Sequence, residues 1–143
     1  MFSGTSTGSL KAAVIAIAVA ALVGGIYWGV ASRLASAQGY AGCHPGFVTD
    51  LARLWLDGLD EPERAGVAIL ACGPTPMLRA AAALAARYAL PSQVCLEEYM
   101  ACAVGGCAGC TVRVRTAYGP AMKRVCVDGP VFDGAQVVWD ATG

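Results

Sequence analysis

Charge is scarce in this sequence. Charged residues make up 14% of its 143 residues, against 57% hydrophobic. A disordered chain shows the reverse balance, so wholesale disorder is excluded. Neither sign is in surplus: ten basic and ten acidic residues cancel. No global basic field therefore exists to hold nucleic acid. Histidine is nearly missing. His44 is the only one, and in its loop setting it is expected at the surface rather than as a ligand. Acids are wholly absent from residues 1–49, which carry only Lys11 and Arg33. Residues 50–143 hold eight bases and all ten acids. The composition describes two unlike pieces within a length that suits one ordinary domain or two very small ones.

The first piece contains a long apolar run. From Ala12 to Ser32 there is no charged residue, a length close to the roughly 20 residues that span a bilayer. Lys11 and Arg33 flank it, Tyr27 and Trp28 lie near one end, and Gly25 and Gly29 form a GxxxG. Those features suit a membrane span. The run is also rich in alanine and glycine, which suits a buried strand and helix of an α/β domain. Both readings stand at this point. A cleavable signal peptide fits less well, because the A-x-A-like stretch Ala35–Ser36–Ala37 comes late.

The middle piece reads as α/β. Gly42 to Gly46 is a loop, and Thr49 or Asp50 could cap a helix whose stripe is Leu51, Leu54, Trp55 and Leu59. Asp57 to Glu63 forms a polar turn. Val67–Ala71 is a short apolar run of the kind found in a buried parallel strand. Cys72–Gly73–Pro74 breaks it, Pro76 opens a helix, and Met77, Ala81, Leu84, Ala85 and Tyr88 make its buried face. Gln93–Leu96 predicts a second strand. Strand, tight turn, helix, strand is the unit of a doubly wound sheet, whose ligands bind at the carboxyl ends of the strands. Here that means Cys72 and Gly73, unless they are simply a small residue and a turn.

Seven cysteines are many for this length, and an odd number argues against a closed disulfide framework. Cys43, Cys72 and Cys95 are scattered. Cys102, Cys107 and Cys110 lie in CAVGGCAGC, and Cys126 follows beyond a hairpin. This is C-x4-C-x2-C…C, the spacing of plant-type [2Fe–2S] ferredoxins. A two-iron cluster needs four thiolates converging on two neighbouring metals. Three of them can come from one short loop only if its backbone turns sharply, a task for Gly105, Gly106 and Gly109. Thr111–Arg115 alternates as a half-buried strand does, Tyr118–Gly119–Pro120 turns, and Met122–Val127 is expected to return Cys126 to the loop. A four-cysteine zinc site is the competing reading, although such sites usually pair their ligands in two short knuckles. Arg113, Arg115, Lys123 and Arg124 form a basic hairpin face, either plainly solvated or docking an acidic partner.

Three segments together resemble one family. ACGPTPMLRAAAALAARY, LEEYMACAVGGCAGCTVRV and KRVCVDGPVFDGAQVVWD are similar to the C-terminal half of the electron-transfer subunit of type B dihydroorotate dehydrogenase, and HPGFVTDL at 44–51 fits the same alignment. The resemblance implies a partial Rossmann-like, ferredoxin-reductase NAD-binding half-domain over 44–95. A small hairpin-rich [2Fe–2S] lobe over 96–143 follows it; residues 1–43 are an apolar segment of uncertain origin, of which 1–40 match nothing in the family. It implies Cys102, Cys107, Cys110 and Cys126 as cluster ligands, with Cys72, Gly73 and Pro74 beside a nicotinamide ring. Glu97 and Glu98 would lead into the cluster loop. It further implies a cytoplasmic, non-catalytic electron carrier in pyrimidine biosynthesis. Its partner would be an FMN-containing catalytic subunit in a heterotetramer, with FAD and NAD in the full-length family. The flavin motif R-x-Y-[ST] and the glycine-rich first turn are absent here, Leu22–Val23–Gly24–Gly25 being a poor substitute for the turn. The chain is therefore expected to be a C-terminal piece in which FAD and NAD binding are in doubt. A membrane-anchored protein with a zinc site is the alternative.

Overall fold

The computed structural model describes residues 32–139. Expectations for residues 12–31 lie outside the described residues. Among the described residues, no helix is long and apolar enough to cross a membrane.

A two-residue parallel pair, β1 (Ala35–Ser36) and β2 (His44–Pro45), opens the region. His44 is therefore half-buried in a strand rather than in a loop. Its N–H donates to the Leu34 carbonyl at 2.7 Å, and Gly46 N–H donates to Ser36 at 3.2 Å, which fixes the pairing. Helix α1 (Val48–Asp57) starts before the predicted caps. Phe47 takes the cap position, and the Asp50 carboxylate accepts its N–H from the first turn at 3.4 Å. Ala52 and Leu56 are the residues α1 buries, whereas Leu54 is 49% exposed. The predicted stripe is thus rotated about the axis. Helix α2 (Glu61–Ala65) occupies the predicted polar turn, capped by Asp60, which accepts Glu63 N–H at 2.8 Å.

The central unit is β3 (Ile69–Cys72), α3 (Thr75–Arg87) and β4 (Ser92–Cys95). The strands run parallel with Ile69 opposite Ser92 and Cys72 opposite Cys95. Pro74 caps α3 and Pro76 lies in its first turn, where a missing N–H leaves no bond unmade. Leu78, Ala81, Ala82, Leu84 and Ala85 are buried on α3. Met77 and Tyr88, expected in that face, are half-buried, and Leu78 and Ala82 take their place. The reason is that α3 is packed on two sides. Ala81, Leu84 and Ala85 join Leu56 and Ile69 in one core, while Leu78 joins Val94 in another.

That second core reaches into the cysteine-rich part, through Cys110, Val112, Val114, Val125 and Val137. The hairpin is β5 (Thr111–Thr116) and β6 (Gly119–Arg124), antiparallel with Val112 opposite Lys123 and Val114 opposite Ala121. Val112 and Val114 are buried while Arg113 and Arg115 are exposed, as the alternation predicts. A single helical turn, α4 (Val125–Asp128), follows. It carries Cys126, which is predicted on the returning strand. The strand stops because Asp128 accepts Arg124 N–H at 2.8 Å and folds the chain into the turn. Finally β7 (Val131–Asp133) adds antiparallel to β4, giving a sheet ordered β3-β4-β7. Among the described residues the architecture is mixed α/β with three small sheets.

Candidate metal centre

Two elements position the four clustered cysteines. The loop between β4 and β5 carries Cys102, Cys107 and Cys110, and α4 carries Cys126. The loop and the turn are tied at three points. Val125 N–H donates to the Cys110 carbonyl at 2.9 Å. The Arg124 guanidinium donates to the Gly105 carbonyl at 2.6 Å. The buried Gly105 also lies against Val127: a Cβ there would meet Val127 Cγ2 at 2.5 Å.

The thiols fall into two pairs. Cys107 acts on Cys102 through its N–H and its thiol, and Cys110 Sγ lies 3.1 Å from Cys126 Sγ. The pairs also feel each other electrostatically, Cys102 acting on Cys126. Among the described residues, no three His, Cys, Asp or Glu side chains close around one point that could hold a metal ion. The four thiols are disposed as Cys102 beside Cys107 and Cys110 beside Cys126.

Backbone N–H groups surround the sulfurs. Those of Cys107, Val104 and Gly106 point at Cys102, and Gly109 N–H reaches Cys107 Sγ at 3.4 Å. The N–H of Cys107, then that of Val104, push the Cys102 thiol down to about 6. The Cys110 thiol is also lowered, chiefly by the N–H of Cys126. Cys126 is raised, chiefly by its hydrogen bond to Cys110. Each pair thus contains one sulfur that ionises readily, and the thiolate is the form that binds metal.

The turns that aim these N–H groups differ from the prediction. Of Gly105, Gly106 and Gly109, only Gly105 takes a left-handed backbone, with φ +73°. The other two left-handed positions are Ala103 and Ala108, at φ 57° and 56°. That conformation disfavours any residue bearing a Cβ by ~1–2 kcal/mol. Alanine keeps the Cβ and adds nothing beyond it. Nothing in sequence marks an alanine as left-handed.

The surroundings of the loop are apolar and open. Tyr99 and Val104 are 84% and 85% exposed, and Met100 and Val127 are more than half exposed. The basic hairpin face is largely committed internally. Lys123 lies 3.6 Å from Asp128, Arg124 is held by Gly105 and Asp128, and Arg115 donates to the Ala135 carbonyl. Glu97 is exposed and Glu98 half-buried.

Residues 97–138 match the family model of the iron–sulfur cluster binding domain of dihydroorotate dehydrogenase B. The chain is also similar to dihydroorotate dehydrogenase B (NAD(+)) electron transfer subunits. That of Caldanaerobacter subterraneus is 44% identical over 71 residues, half of this chain and 29% of the relative. That of Shouchella clausii is 39% identical over 107 residues, 74% of this chain and 37% of the relative. That of Bacillus caldolyticus is 49% identical over 74 residues, 49% of this chain and 26% of the relative. The chain thus spans about a quarter to just over a third of the length of these relatives. Among solved structures, it resembles an NADH-dependent reduced ferredoxin-NADP oxidoreductase studied for flavin-based electron bifurcation. The TM-score is 0.54 at 31% identity, covering 72% of this chain and 34% of that one.

Cys72, Gly73 and Pro74 lie apart from the iron–sulfur domain in sequence, at the carboxyl end of β3. Gly73 has φ +150°, and a Cβ there would meet Met77 Cε at 2.4 Å. The turn into α3 therefore requires glycine at this position.

Proposed function

We propose that the chain holds one [2Fe–2S] cluster on Cys102, Cys107, Cys110 and Cys126 and relays single electrons. The observation that carries this reading is the two-pair arrangement of thiols inside a segment that matches an iron–sulfur domain. Each iron of a two-iron cluster would take one pair. Structural zinc sites usually pair their ligands in two short knuckles, whereas three of these cysteines share one loop in the C-x4-C-x2-C…C spacing of two-iron ferredoxins, so the spacing supports iron over zinc.

When bound, such a cluster supplies a one-electron couple whose potential depends on net charge, hydrogen bonds to sulfur and exposure. The chain contributes to each of these. The N–H groups of Val104, Gly106, Cys107 and Gly109 stabilise charge on sulfur. The buried Cys110 shields one side. Exposed Tyr99, Met100 and Val104 keep the other side apolar and approachable, as electron transfer between proteins requires.

The names of the relatives widen the proposal. The chain would carry electrons between an FMN-containing dihydroorotate dehydrogenase catalytic subunit and FAD and NAD, in pyrimidine biosynthesis. It would act within a heterotetramer in the reducing cytoplasm, a compartment in which clustered cysteines serve as metal ligands rather than structural disulfides. Residues 44–95 would be the C-terminal half of a nicotinamide-binding domain and 96–143 the cluster lobe. Cys72, Gly73 and Pro74 would approach the nicotinamide, since open α/β sheets bind ligands beyond the carboxyl ends of their strands.

Anaerobic expression followed by iron, sulfide and zinc analysis tests the cluster. Equal iron and acid-labile sulfide, with an EPR signal after dithionite reduction, is the expected result. Stoichiometric zinc with no signal in the reduced sample would sink the reading.

A further inference from the structure

Two of the scattered cysteines are brought together by the sheet. β3 and β4 run parallel in a register that sets Cys72 beside Cys95, at the carboxyl ends of both strands. Residues in register on neighbouring strands project from the same face. The strand spacing of ~4.8 Å falls within the Cα separation of ~4.4–6.8 Å that a disulfide spans. The Cys95 thiol also feels that of Cys72 electrostatically. Their surroundings differ. Cys72 is exposed and Cys95 is half-buried. Burial, then the neighbouring Cys72 thiol, hold the Cys95 thiol above its ordinary range. Cys72 is therefore the thiol an oxidant meets first, and Cys95 waits beside it. The sheet face they share is open, with Gln93 and Asp133 exposed on β4 and β7.

We propose that Cys72 and Cys95 form a reversible dithiol–disulfide site, oxidised by low-molecular-weight disulfides of the glutathione type. The thiolate of Cys72 attacks one sulfur of the oxidant. The oxidant's S–S bond breaks, a mixed disulfide forms on Cys72, and one small thiolate leaves to be protonated. Cys95 then gives its proton to solvent and attacks the Cys72 sulfur. The mixed disulfide breaks, the Cys72–Cys95 bond forms, and the second small thiolate leaves and is protonated. The protein loses two electrons and two protons, and the oxidant gains both as two thiols. The site uses none of the four clustered cysteines and is independent of the cluster reading.

The test uses the full chain, once loaded with iron and sulfide and once metal-free, each incubated with glutathione disulfide. Trypsin with a glutamate-specific protease cuts at Arg87 and Glu97, separating Cys95 from the cluster loop. A peptide pair linking Cys72 to Cys95, removed by dithiothreitol, is expected in both preparations. Cys95→Ser should leave a persistent glutathione adduct on Cys72. Cys72→Ser should leave Cys95 unmodified. A wild-type chain that keeps glutathione on Cys72 with Cys95 free, or that pairs Cys95 with another cysteine, would overturn the proposal. Failure to incorporate iron would leave this readout intact, because linkage is mapped residue by residue.

Discussion

Replacing Gly105 by alanine is the sharpest perturbation of the loop that does not touch a sulfur. Gly105 is buried, has φ +73°, and its carbonyl accepts the Arg124 guanidinium. An added Cβ would raise the energy of this backbone by ~1–2 kcal/mol. It would also sit 2.5 Å from Val127 Cγ2. Val127 is 53% exposed, so it can yield by leaving its rotamer, at a further ~0.5–1.5 kcal/mol. Together these amount to about 1.5–3.5 kcal/mol, or roughly 10- to 300-fold in the equilibrium between closed and open loop. The assay is the rate at which an iron chelator bleaches the visible absorbance of the iron-loaded chain under anaerobic conditions. Gly105→Ala should bleach faster by that order. Val127→Ala alone should behave nearly as wild type, and adding it to Gly105→Ala should recover the portion due to the clash. Bleaching of Gly105→Ala at the wild-type rate would show that the loop does not hold the observed conformation around its metal.

Leu78→Ala should destabilise the chain by about 2–5 kcal/mol. Because Leu78 shares a core with Cys110 and Val125, urea midpoints followed by tryptophan fluorescence and by cluster absorbance should fall together; a fall confined to fluorescence would deny the shared core. Arg124→Met should speed cluster loss by removing the charged donor to the Gly105 carbonyl. A hydrogen bond to a charged group is worth ~1.5–3 kcal/mol, and an unchanged chelation rate would count against the tie. Tyr88 donates to the Asp57 carboxylate, and this bond, then burial, raise its phenol above the ordinary value of 10.0. The raised group favours the fold below that value, and the contribution fades as pH climbs through the folded-state pKa. In an alkaline absorbance titration, Asp57→Asn should lower the Tyr88 midpoint; no movement would show that the bond is not made.

Patterns written in single residues were legible in advance. The alternation of Thr111–Arg115 gave the buried Val112 and Val114, and the Pro–Gly punctuation placed the β3–α3 turn and the hairpin. The spacing C-x4-C-x2-C located the thiols that the structure draws into pairs. What escaped was set by tertiary context. β7 is only three residues long, too short for alternation to register, and its place beside β4 depends on a partner strand distant in sequence. Cys126 rides a helical turn because the Asp128 carboxylate captures the backbone of Arg124, a contact with no periodic signature. Arg124 reads as one more surface charge until its carbonyl partner on Gly105 is seen. Cys72 and Cys95 look scattered until the parallel register sets them side by side.

The pairing of thiols, Cys102 with Cys107 and Cys110 with Cys126, can be examined most directly by Mössbauer spectroscopy of the chain loaded with isotopically enriched iron. After one-electron reduction, equal ferric and ferrous components, each in a tetrahedral sulfur environment, are expected from two irons held by two thiols apiece. A single mononuclear iron component, or a sample that takes up zinc and excludes iron, would contradict it.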